Sequence, residues 1–284
     1  MPNSFASDNK TDLFKDNSAF IEQIARHLTE YERQDDSLTR ATIRSPRTSA
    51  VLFLLGPRPH SPPGDFQSCL ILNKRSMNVK QAGDLCCPGG SISFPLDRYV
   101  ARLLCLPGFP LSRWPGWSRW RKQNKTAADN LAILLAAGLR ESLEEMRLNP
   151  LGVKFLGPLP PQRLVTFDRV IYPLVGWLLR KQRFVPNWEV EKIVYIPLKK
   201  LLDPANYACC RIRMKADLKN ETPRVRDMPC FMHEQAGEVE QLWGATYRIV
   251  MVFLELVFGF KAPALESLQV VHSELDENYR TGVR

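Results

Sequence analysis

The apolar positions along the chain fall into helical stripes and short continuous runs. Residues 18–34 place Phe20, Ile21, Ile24 and Leu28 on one stripe, with Ser18 as its N-cap. Ser49 to Leu55 is an uninterrupted apolar run and predicts a strand. Ser68 to Asn73 predicts a second strand, ending at Lys74 and Arg75. From Asp129 to Arg147 the pattern predicts one helix, stopped by Asn149-Pro150. Leu135, Leu139 and Leu143 form its apolar stripe, suited to packing on a sheet. Further strands are expected at 153–157, 169–179 and 191–197, then a short helix over 198–204 stopped by Pro204. The last strong element is a helix from Leu242 to Phe258. Residues 1–17 are polar and read as disordered; the tail after Lys261 is polar and carries no assigned element. No internal repeat is present. Strands and helices in this order predict an α/β fold, layered α/β/α around a mixed sheet.

Composition changes this picture only locally. The chain has 284 residues, with 44% hydrophobic and 24% charged, as in ordinary globular proteins. The net charge of +9 points toward polyanionic partners. Much of it lies in one stretch: from Arg98 to Lys125 there are seven basic residues and no acid. That stretch also carries Trp114, Trp117 and Trp120, a composition that stacks on single-stranded nucleic acid or sits in an anionic membrane interface. The plainer reading is a partly ordered lid or surface excursion, and Pro107, Pro110 and Pro115 argue against one continuous helix. The seven Cys show no zinc spacing and no disulfide framework. The start lacks a basic and apolar leader, and the longest apolar run is too short to span a bilayer. A cytoplasmic location is expected on these grounds.

Candidate chemistry lies in Arg140-Glu141-Ser142-Leu143-Glu144-Glu145. On a helix, Glu141, Glu144 and Glu145 share one face, and three clustered carboxylates repel unless something offsets them. Hard divalent cations do so, because Mg²⁺ prefers carboxylate oxygen. A solvated acidic face with Arg140 as intrahelical partner is the alternative. Upstream, Pro88-Gly89-Gly90 is a turn where backbone comes close to a ligand or metal, or simply a tight turn. Arg75 and Lys80, in the loop before it, are placed to hold phosphates; each alone also reads as surface charge.

Taken together, these segments resemble the Nudix hydrolase superfamily, and within it the coenzyme A diphosphatase group. Arg140, Glu141, Glu144 and Glu145 match the Arg and Glu positions of the Nudix pattern, and Leu148 its final aliphatic position. Leu72, Lys74, Arg75, Ser76, Val79, Lys80, Gly83, Pro88, Gly89 and Gly90 fall in the frame of the coenzyme A signature. Segments at 170–175, 186–190 and 242–246 are also similar to that group. Several positions depart from it. Gly90 and Arg140 are 50 positions apart, much further than in the family pattern, so the motif is interrupted. The pattern's first Glu has no clear counterpart, Asp97 being the nearest acid. Arg147 stands in place of Gly, Ser142 in place of an aliphatic residue, Gln81 in place of His and Cys87 in place of Phe.

The resemblance implies a Nudix-like α/β/α domain over 45–260 with an insertion at about 97–128, preceded by an N-terminal extension over 1–44 and followed by a tail over 261–284. It implies a metal-dependent diphosphatase using Mg²⁺ or Mn²⁺. Glu141, Glu144 and Glu145 would bind metal, Gly90 would add its carbonyl, and Arg140 would orient a Glu. Arg75, Lys80, Gly89 and Gly90 would face the substrate. Glu189 is a candidate general base, or an exposed loop acid. His233 either faces the cleft or is structural. The expected substrate is a small-molecule diphosphate, coenzyme A or its thioesters first, nucleotide sugars or dinucleotides second. A non-catalytic binding module working through the basic insertion is the reading from another class. A dimer is compatible with all of these.

Overall fold

The computed structural model describes residues 17–32, 36–58, 67–164, 168–214, 224–275 and 279. The polar N-terminal stretch up to Asp16 and most of 276–284 lie outside the described residues. Helices are α1 Asn17–Glu32, α2 Phe94–Leu104, α3 Trp117–Gln123, α4 Lys125–Met146, α5 Leu198–Leu201 and α6 Gly244–Phe258. Strands are β1 Thr48–Pro57, β2 Ser68–Arg75, β3 Leu85–Cys86, β4 Gly89–Ser91, β5 Val153–Pro158, β6 Gln162–Leu164, β7 Arg169–Leu178, β8 Val190–Pro197, β9 Tyr207–Met214, β10 Arg224–Gln235, β11 Glu238–Leu242 and β12 Val270–Leu275.

The larger sheet is mixed. Its path is β3-β2-β1-β7-β5, with β4 on β1, β6 on β7 and β8 on β2. β1 runs parallel to β7 and antiparallel to β2. β1 is an unbroken apolar run because both of its faces are covered. Val51, Phe53 and Leu55 point into one core with Phe20, Ile24 and Leu28 of α1 and Phe253, Leu254 and Val257 of α6. Ala50, Leu52 and Leu54 point into a second core with Leu131, Leu134 and Leu135 of α4. That alternation makes the layers α/β/α, as the order of elements predicts.

One feature of this sheet positions the site. Beyond Leu54–Pro57, where β1 pairs with β2, the two strands part, and Ser49–Val51 of β1 pairs with β4 instead. β3 fills the matching place on β2 at Asn73 and Lys74. The segment from Leu85 to Ser91 is therefore wedged into a splayed sheet, pinned where Leu52 N–H donates to Pro88 O at 2.8 Å. α4 crosses above it.

The interrupting stretch is folded and is not a loose lid. Trp114 and Trp117 are 3% and 5% exposed and belong to the α4-side core. The Trp114 ring lies 5.2 Å from Phe155 and 5.7 Å from Trp120, edge to face. Trp114 and Trp117 are interior and Trp120 is half-buried against Trp114, so the three rings do not form the exposed stacking surface read from their spacing. A Trp buries more apolar area in a core than exposed stacking would keep from water. α4 also begins earlier than expected, at Lys125, because the Asn124 side chain accepts from Ala127 N–H at 3.1 Å and caps it. Of the expected stripe, Leu135 and Leu139 are buried, but Leu143 is 39% exposed.

A second sheet, β11-β10-β9-β12, occupies a region that the hydrophobic pattern left unassigned. Its inner face is Ala208, Cys210, Ile212 and Cys230, mostly small or sulfur-bearing side chains whose alternation is weak in the sequence. β12 lies in the polar tail and pairs parallel to β9. All seven cysteines are free. Among the described residues no helix is long and apolar enough to cross a membrane.

Candidate functional site

The wedge and α4 bring together residues far apart in sequence. Glu145, in the last turn of α4, is 8% exposed. Its Oε2 accepts from Gly89 N–H at 3.1 Å and from Asn73 Nδ2 at 2.9 Å. One turn earlier, Glu141 lies over Gly90: a Cβ built on Gly90 would sit 2.7 Å from the Glu141 Cδ. Gly89 has φ +139°, and a Cβ there would meet Ala50 O at 2.4 Å. The two glycines thus do different work. Gly89 lets the wedge lie against β1, and Gly90 lets a carboxylate approach the backbone.

Arg140 is held on the other side. Its Nε and Nη2 donate to Asp97 at 2.8 and 3.3 Å, and Nη2 also donates to Ser91 O at 3.0 Å. Nη1 lies 3.1 Å from Glu141 and 3.2 Å from Glu144. Burial opposes its charge, but the bonds to Asp97 and the nearby Glu141 outweigh that and raise its pKa above the usual arginine value. Asp97 is fully buried, and also accepts from Ser93 N–H at 2.7 Å, steadying the start of α2. α2 therefore supplies the partner that fixes Arg140 beside the acidic cluster.

Burial pushes the Glu145 carboxyl up to about 8; the Gly89 N–H opposes this, while the Glu141 and Glu189 carboxylates add to it. Glu141 is raised by burial as well, with Arg140 opposing. Glu144 is the exposed member, with a side chain 55% accessible. Glu189 stands in the loop before β8. Asn187 N–H donates to Glu145 O at 2.8 Å, and Ser76 N–H donates to Glu189 O at 2.8 Å. Ser76 Oγ also donates to Trp188 O at 2.8 Å. The loop is thereby tied to both α4 and β2, and Glu189 falls within electrostatic reach of Glu145.

Arg75 ends β2, where its Nε donates to Lys80 O at 2.7 Å and its charge reaches Glu145 and Asp84. Lys80 is exposed on that loop. His233 is elsewhere in role: it is 4% exposed on β10, opposite Glu240. Burial, with the Lys200 charge, lowers its pKa to about 4, so it stays neutral as a core side chain. Asn73 is the member that residue patterns missed, legible only as a polar residue ending an apolar strand. Asp97 was named only as the acid nearest to the pattern's first Glu, without a partner.

The donor set suits a hard cation. Among the described residues no group of three Asp, Glu, His or Cys side chains forms a metal cage. Mg²⁺ does not require one; it is commonly bound through one or two carboxylates, with phosphate and water completing its shell. Glu145 and Glu141 offer those carboxylates, each burdened by burial and by like charge. Beside them the Asn73 Oδ1 is buried and unpartnered among the described residues. An acceptor-rich, partly dry cluster of this kind is relieved by a cation.

No protein-family model and no curated protein matches the chain. Solved structures do. A MutT/nudix family protein from Enterococcus faecalis is 13% identical, covering 89% of this chain and 75% of that one at a TM-score of 0.38. A Nudix hydrolase from M. Smegmatis, RenU, is 13% identical over 55% and 73% at 0.35. The NUDIX domain of Shewanella oneidensis NrtR, complexed with ADP ribose, is 16% identical over 61% and 85% at 0.31. Superpositions this loose carry no argument about activity or ligand. The strand pairing and the two packed faces show the chain itself to be a mixed α/β fold in which β4 and α4 form an acidic, glycine-lined cluster.

Proposed function

We propose that this chain is a Nudix-type hydrolase that cleaves a diphosphate bond with the help of a divalent cation. The observation that carries the reading is the meeting of Glu145 and Glu141 with Gly89 and Gly90 across 50 intervening positions, locked by Arg140 and Asp97. A chance acidic helix end would not need a glycine beneath its carboxylate. Glu145, Glu141 and the exposed Glu144 would hold Mg²⁺ or Mn²⁺, with Gly90 contributing backbone oxygen. Bound there, the cation supplies positive charge against the diphosphate and makes water a better nucleophile. Arg140 keeps the carboxylates spaced and oriented rather than touching substrate. Arg75 and Lys80, on the facing loop, take the phosphates. Glu189 accepts the proton of the attacking water, its loop being fixed to Glu145 by the Asn187 hydrogen bond. Positioning and charge then provide most of the rate.

The residues resembling the coenzyme A signature, Arg75 to Gly90, make coenzyme A or its thioesters the first substrate to try, ahead of nucleotide sugars and dinucleotides. The test is turnover of these compounds by purified protein with Mn²⁺, alongside Glu145→Gln. Turnover lost in the variant at unchanged melting temperature is the expected result. Metal-dependent activity that survives Glu145→Gln rejects the assignment, and binding without turnover by the unmodified chain points instead to a non-catalytic module.

A further inference from the structure

The inner side of α2 is fully accounted for. Asp97, Ala101 and Leu104 are buried, and Phe94 and Val100 pack on the same core. The outer side is different. Leu96, Tyr99 and Leu103 follow one another at helical spacing, and Leu106 continues the line in the turn that follows. These four large side chains are between 48% and 65% exposed. In projection down a helix of 3.6 residues per turn, Arg98 and Arg102 fall along one edge of the strip. The Arg102 guanidinium lies 5.7 Å from the centre of the Tyr99 ring.

The charges on the strip's own segment that face outward have one sign. Asp97 is turned inward and bound to Arg140. The chain from Arg98 to Lys125 contains no acid, and the next one, Asp129 on α4, lies near Cys105 with Arg121 also in reach. The face is therefore apolar with a basic edge and no carboxylate of its own. We propose that this outer face of α2 docks on an anionic lipid surface. Leu96, Leu103 and Leu106 enter the headgroup boundary, Tyr99 lies at its polar level, and Arg98 and Arg102 meet lipid phosphates. A second copy of the chain is a poor occupant, since pairing two such faces brings four arginines together without a carboxylate to match them. The association is peripheral, as no described helix is long and apolar enough to cross. It does not depend on the proposed hydrolysis.

The test uses the full chain and vesicles of phosphatidylcholine alone or mixed with phosphatidylserine. Co-sedimentation should favour the phosphatidylserine vesicles and weaken as salt is raised. Leu96→Ser with Leu103→Ser should reduce partitioning, and Arg98→Gln with Arg102→Gln should reduce it by about 25-fold, since each basic side chain near such a surface is worth about fivefold. All four altered side chains lie on the surface, so melting temperatures should stay with that of the unmodified chain, which separates lost docking from lost fold. Equal binding to both vesicle types, or binding undiminished in both variants, overturns the proposal. So does a dimer in sedimentation equilibrium that the leucine variant dissociates while no vesicle binding is seen.

Discussion

Removing the Asp97 side chain tests whether the interrupting segment is part of the site's framework. Asp97 is inaccessible and the Arg140 side chain is 13% exposed, so solvent screens this pair little. Asp97→Ala deletes hydrogen bonds of 2.8 and 3.3 Å to Arg140 and the 2.7 Å bond from Ser93 N–H. Breaking a buried ion pair on one side costs about 3–5 kcal/mol. Arg140 keeps Ser91 O, Glu141 and Glu144, so the lower figure applies here, about 3 kcal/mol. For a chain of this size that is roughly 6–12 °C in melting temperature. Urea denaturation followed by circular dichroism measures it directly. A cycle with Arg140→Gln should give a coupling of about 1.5 kcal/mol or more, as expected for two contacting charged side chains. A single-variant cost under about 1 kcal/mol, or independent effects of the two substitutions, would refute the buried pair as the link between α2 and α4.

Other perturbations separate roles within the same region. Gly89→Ala should destabilise the chain by urea denaturation, because its Cβ meets backbone at 2.4 Å, whereas Gly90→Ala should chiefly weaken Mn²⁺ binding measured by titration calorimetry, because the atoms nearest its Cβ are those of the Glu141 carboxyl. Trp114→Ala should cost about 3–5 kcal/mol in the same denaturation assay, the usual loss for a buried aromatic; a cost near zero would mean that the segment does not pack as described. Asp84 bears on pH. Burial pushes its carboxyl up to about 6, against the opposing bonds from Tyr279 and Trp243. With a folded value above the unfolded one, its contribution is full below about pH 4 and is lost as pH rises to about 6. Asp84→Asn should therefore flatten the stability profile in that window by roughly 2–3 kcal/mol, and parallel profiles for variant and parent would count against it.

Several features were legible because they depend on near neighbours in the chain. The continuous apolar run of β1 identified a strand, and the spacing of Leu135 and Leu139 identified a helix suited to lie on a sheet. Glu141, Glu144 and Glu145 share a face by helical geometry alone. Leu143 was misread because a line of i, i+4 and i+8 positions drifts around the helix, and Ser142 and Met146 occupy the buried face of the last turn instead. β9, β10 and β11 were missed because their inner face is mostly small or sulfur-bearing, and pairing across strands supplies what local hydrophobicity does not.

What the tertiary structure alone decided is which distant residues meet. The amino-acid order determined an acidic helix, a glycine turn and a basic, tryptophan-bearing stretch between them. It did not determine that β1 and β2 part to admit β4, which sets Gly89 under Glu145. Nor did it determine that the intervening stretch folds inward, burying Trp114 and handing Asp97 to Arg140. Such contacts are set by packing and charge pairing over long sequence separations. Helix and strand periods act within a few residues and are blind to them.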